Sequence, residues 1–247
     1  MRLTSFLTLL LVPLAASSTL PSPQHVFSNP EQGYHPDYKI PTVHESAVQA
    51  RRILHLESLG TLSTVFPSSD ASGIDGLEGA PIGLIDYYGD CEFDAGNPTI
   101  LAISIATSFK NVRAGSNITL SLRWHPPTKR AYSAAAMPRF SLMGYLEPIS
   151  NLDLIKSNIP TCFTGYHPDA VAWFPGNVIH ESHWVRLVVE KVYWIGGFGD
   201  RAYIGWIPAE EWRNVTRKEV HDVRLPGEKK KGELKSWLEW LFLSADL

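Results

Sequence analysis

The chain has 247 residues, 44% of them hydrophobic and 19% charged, which places it among globular proteins and away from chains too polar to bury a core. Against 25 Asp and Glu stand 22 Lys and Arg, and the net charge of −3 excludes the basic footprint of a nucleic-acid binder. The 18 Gly, 18 Pro, 8 Trp, 9 Tyr and 10 Phe predict many turns and short strands rather than a helix bundle.

Arg2 precedes an apolar run over residues 3–14, and Ala15, Ala16, Ser17 and Ser18 follow. A positive start, a short apolar centre and small residues form the three parts of a secretory signal peptide. The run is far short of the roughly 18–20 residues of a spanning helix. The reading therefore gives a signal peptide at 1–18, no transmembrane segment, and a mature protein that is secreted or held in the lumen of the endomembrane system. Residues 19–41, with Pro21, Pro23, Pro30, Pro36 and Pro41, read as an extended arm.

Thr42 followed by Glu45 is a capping box. Val43, Ala47, Ala50 and Leu54 recur at helical spacing, with Ile53 beside them, and Gly60 reads as the stop. Strands are expected at 61–66, 81–88 and 99–107, with a Ser/Asp/Gly loop at 67–79 and a turn-rich segment at 90–98. A short helix at 108–114 leads to Gly115. Strands at 117–124 and 139–147 follow, broken by Pro126 and Pro127. Helix and loop fill 151–173, 183–195 is the longest strand, and 202–207 is its partner. Pro208 opens a helical turn containing Glu210, Glu211 and Trp212. Lys229 to Lys231 precede an apolar tail in which Leu234, Trp237, Leu238, Leu241 and Phe242 share a helix face, read as a helix docked on its own domain or on a partner. About seven short strands with inserted helices predict a closed antiparallel barrel, since closure removes exposed edges.

Asn117 and Asn214 begin N-glycosylation sequons, completed by Thr119 and Thr216. Cys91 and Cys162 are the two cysteines; they either pair, as a secreted chain allows, or remain separate thiols, since spacing does not report distance in space. No nucleophile elbow, Walker loop or dinucleotide fingerprint is present. His180, Glu181 and His183 lack the spacing of a zinc protease and read as a loop pair. His44, His55, His125 and His167 are scattered, with nothing to single out a haem ligand. On strand 99–107, Ile100, Ala102, Ser104 and Ala106 share one face, small enough for a cofactor, a second subunit or a helix to approach closely. Arg186 and Glu190 share a face of the long strand with Trp184, Val188, Val192 and Trp194, and read as a salt bridge at a barrel rim.

The order of these segments resembles a known superfamily. Ala50-Arg51-Arg52-Ile53-Leu54 before Gly60-Thr61-Leu62-Ser63-Thr64 is similar to the helix-to-strand signature of the FMN-binding split barrels, the pyridoxamine 5'-phosphate oxidase-like fold. Cys162 to Pro175 with His167-Pro168 and Trp173, then Phe198-Gly199 and Pro208-Ala209-Glu210-Glu211-Trp212, resemble the CREG branch of secreted glycoproteins. The resemblance covers about 42–216, leaving 217–247 as a tail, and implies a mainly β split barrel with inserted helices that forms a homodimer. It further implies a non-catalytic protein acting through association with an unidentified protein partner, with no bound cofactor expected. The alternative is an FMN-dependent oxidoreductase. In that case the positions nearest the superfamily's cofactor strand and helix are Ser104, Thr107, Ser108 and Lys110.

Overall fold

The computed structural model describes residues 39–67, 76–128, 132–199 and 202–229. The signal peptide, most of the proline-rich arm, part of the loop at 67–79 and the apolar tail lie outside them. Helix α1 spans Val43–Leu56. It begins as its capping box requires: the Glu45 amide donates to Thr42 Oγ1 and the Thr42 amide donates to Glu45 Oε2. Ala47, Ala50, Ile53 and Leu54 form its buried stripe. The helix ends at Glu57, which turns extended. Gly60 is therefore not the stop. It lies inside strand β1, Leu59–Val65, where a Cβ would stand 2.5 Å from a Leu120 methyl.

The remaining strands are β2 (Pro81–Tyr87), β3 (Gly89–Glu92), β4 (Asn97–Ile103), β5 (Ile118–Arg123), β6 (Arg139–Pro148), β7 (Ser182–Ile195) and β8 (Ile204–Ile207). Their order is β2-β1-β5-β6-β7-β4-β3, with β8 on the free part of β7, and every pairing is antiparallel. Chain residues 81–92 bend at Tyr88. Their first half pairs with β1 and their second half with β4. One run of backbone thus supplies both ends of the sheet and closes it into a split barrel.

Three strand readings are corrected. The segment 90–98 is not all turn: β3 and the start of β4 occupy it, joined by a tight turn at 93–96 in which Gly96 takes a φ of +66°. Strand β4 stops at Ile103. The Ala106 amide there donates back to the Ile103 carbonyl, and helix α2, Thr107–Arg113, starts at once. The small face of β4 is also not a free surface: Ile100 and Ala102 belong to the barrel core, while Leu101 packs in a second core with Ile159, Phe163 and Trp184.

That second core lies under helices α3 (Asn151–Lys156) and α4 (Ile159–Tyr166) and the 3-10 turn Pro168–Trp173. Cys91 and Cys162 form a disulfide that fastens α4 to β3, with Cα atoms 5.8 Å apart. After β8, helices α5 (Ala209–Arg213) and α6 (Arg217–Asp222) return to α1. Among the described residues no helix is long and apolar enough to cross a membrane.

Candidate functional site

A side chain on every second strand residue faces the same side of a sheet, so register alone assembles the outer surface. Ile85, Thr61, Ser121, Ser141, Tyr193 and Trp206 stand opposite one another in a single row across six strands. Arg123, Arg139, Ile195 and Ile204 form the next row. The middle of the first row is small and polar, and its two ends are large and apolar. The result is a groove of about 600 Å³ with Thr61, Ser121 and Ser141 in its floor and Ile85 and Tyr193 among its walls. Tyr193 meets Trp206 edge to face, with centroids 5.1 Å apart. Ile85 is 74% exposed and Trp206 53%.

Two guanidinium groups lie at one end. Arg139 donates to the Ala135 carbonyl. Arg123 Nε donates to His125 Nε2 at 2.7 Å, while His125 Nδ1 lies 2.9 Å from Glu57 Oε2. The arginine can only donate, so Nε2 accepts and the proton resides on Nδ1. His125 is thus fixed in orientation by Arg123 on one side and Glu57 on the other. Ser121 and Ser141 share a hydrogen bond of 2.8 Å. The groove combines a flat floor, aromatic and aliphatic walls and a cationic end, the chemistry that receives a planar ring carrying an anionic group.

The positions expected to hold FMN do not converge. Ser104 sits in the turn after β4, its carbonyl taken by Arg113 at 2.6 Å. Thr107 opens α2. Ser108 is buried and Lys110 exposed, because residues two apart on a helix point about 200° apart. Asn111 pins the helix to β1 through Thr64. The donor set of the groove fits a flavin phosphate better than this helix does.

Arg186 does not pair with Glu190. It holds Glu92, Glu147 and Asp153 at 2.7, 2.8 and 3.2 Å. Four residues along a strand span about 13 Å, and a bulge intervenes: Met143 faces Lys191 but Gly144 faces Val189, so Glu190 has no opposite residue. Only glycine fits at 144, where a Cβ would fall 1.8 Å from the Val188 carbonyl oxygen. Beyond the bulge the phase of β7 is reversed, and Val192 and Trp194 enter the barrel core while Arg186 remains outside it.

His180 and His183 form no site; His183 lies 3.4 Å from Glu181 in an exposed pair. His55 contacts the buried Asp90 at 3.0 Å, and His167 stacks on Tyr87 and contacts the Tyr88 carbonyl. Among the described residues no cluster of His, Cys, Asp or Glu is arranged to hold a metal. Both sequon asparagines, Asn117 and Asn214, are exposed. Sequence reading missed Arg51, which is fully buried. It donates to the carbonyls of Trp212 and Phe93 and lies against both their rings.

Residues 41–214 match the family model described as CREG, beta-barrel. Comparison with curated proteins gives no match. Among solved structures, a heme binding protein from Mycobacterium smegmatis is similar with a TM-score of 0.53 at 18% identity, over 71% of this chain and 61% of that one. The chain thus spans less than two thirds of that protein's length. Campylobacter jejuni ChuZ has a TM-score of 0.47 at 14% identity, over 66% and 60% of the two chains. A putative pyridoxamine 5'-phosphate oxidase from Listeria innocua has 0.40 at 12%, over 61% and 98%. At such identity the first of these likenesses shows a shared fold.

Proposed function

The chain belongs to the CREG β-barrel family, and from that premise we propose that it is a secreted or luminal glycoprotein that acts by associating with proteins, a second copy of itself included, rather than by turning over a substrate. The observation that carries this reading is the outer sheet face. Ile85 and Leu59 at one end of the groove and Tyr193, Ile204 and Trp206 at the other are all exposed, and large exposed apolar surface of this kind marks an interaction site. The exposed Asn117 and Asn214, and the signal-peptide pattern at 1–18, support passage through a glycosylating compartment. Light scattering on the purified protein is expected to give the mass of a dimer, and Trp206→Asp with Ile85→Asp the mass of a monomer. A wild-type monomer at every working concentration overturns the homodimer.

The groove supports one other reading, an FMN-dependent oxidoreductase. Bound FMN supplies redox chemistry. Arg123 and Arg139 would then hold its phosphate and the hydroxyl-lined floor its ring. The visible absorption spectrum separates the two. The expected result is a colourless protein; a stoichiometric flavin spectrum that survives gel filtration and is lost in Arg123→Ala reverses the assignment.

A further inference from the structure

Among the described residues, His44 alone has both ring nitrogens against carboxylates. Nδ1 lies 2.8 Å from Glu211 Oε2 and Nε2 lies 2.8 Å from Glu219 Oε1. The three residues come from three helices, α1, α5 and α6. A neutral imidazole carries one N–H, so it can donate to one carboxylate and must turn a lone pair towards the other. The arrangement as found is that of an imidazolium.

The other charges around His44 leave this role to the proton. On its own side, Glu45 is committed to the Thr42 amide, and Lys39 lines the same surface hollow. On α6, Lys218 is paired with Asp222 at 2.9 Å, and Glu219 also accepts from the Thr216 amide and hydroxyl. On α5 the facing group is Glu211. Within α6, His221 lies 3.5 Å from Asp222 in an exposed pair, and the contacts that join the rest of this edge to α1 are made by arginines. Arg51 donates to the Trp212 carbonyl, Arg52 to the Val220 carbonyl and to Glu228, and Trp212 and Val220 are buried.

We propose that His44 is a proton-operated clamp that fastens α5 and α6 to α1 while it is protonated and releases their outer side when it gives up that proton. Its hydrogen bonds, first to Glu219 and then to Glu211, raise the pKa of His44 above its ordinary 6.5. The same contact, with those from Thr216, holds Glu219 down at about 2, so the carboxylate is charged throughout. The sign follows. A histidine whose folded pKa is raised contributes stability that is fully present below about 6.5 and is lost as pH rises through the folded value.

Two measurements on the intact protein test this. In an NMR titration of the wild type, His44 is expected to titrate above 6.5, and Glu219→Gln to bring it back towards 6.5. In amide hydrogen exchange corrected for the intrinsic rate, opening of residues 209–222 is expected to increase by up to about tenfold per pH unit across that window, the limit for one linked proton. His44→Gln should abolish this dependence. A wild-type His44 that titrates at or below 6.5 overturns the clamp without recourse to any variant. So does a pH dependence of exchange that is unchanged in His44→Gln.

Discussion

A guanidinium sealed among aromatic rings is costly unless its N–H groups find acceptors. Arg51 finds two backbone carbonyls, from Phe93 and Trp212. Burial lowers its pKa, against the favourable charges of Asp90 and Asp94. Arg51→Ala takes a donor from both carbonyls, leaving that of Phe93 with the Gly96 amide, and opens a void, and is expected to cost roughly 2–5 kcal/mol in urea unfolding. Lysine will not rescue it, since a single ammonium cannot lie flat between two rings and reach both acceptors. The signal was present in the sequence: Ala47, Arg51 and Leu54 are spaced as i, i+4 and i+7, so the arginine falls on the apolar stripe of α1. A charge on such a stripe marks a buried polar anchor. Its neighbour Arg52, one residue on, turns towards Glu228 instead.

Element by element, every strand but β3 was legible, because alternation and proline breaks are local. Bulges are not. Nothing in the run of β7 announces that Glu190 is skipped; that depends on Gly144, which stands on another strand. Helix α6 was missed for a different reason. Thr216 and Glu219 form a full capping box, but Thr216 also completes the Asn214 sequon and was read in that role alone. The two roles can be separated. Asn214→Gln and Thr216→Ala both destroy the sequon, and only the second removes the cap. Thr216→Ala is therefore expected to be less stable than Asn214→Gln by about 1 kcal/mol, measured by denaturation of the two proteins side by side.

For the whole molecule, the resemblance placed the fold correctly. The expected cofactor positions, 104–110, are close in sequence, whereas the groove is built from rows that cross six strands and exists only once their registers are set. The disulfide acts at the same scale. Its cysteines are 71 residues apart, and constraint of so long a loop in the unfolded chain is worth roughly 4 kcal/mol. Cys91→Ser with Cys162→Ser is expected to lose about that amount in urea titration; a loss under about 1 kcal/mol would show that strain or residual structure cancels the constraint. The doubled use of residues 81–92 has its own consequence during synthesis. The hairpins β1–β2 and β3–β4 are local and can form early. The barrel closes only when β4 finds β7, which brings Thr99 beside Arg186, and pairings so distant in sequence form late. Until residues 182–186 are free to pair, β4 presents an unpaired, mainly apolar edge. A nascent or truncated chain is accordingly open to strand addition by its neighbours at β4, an edge that β3 and β7 cover on both sides in the finished sheet.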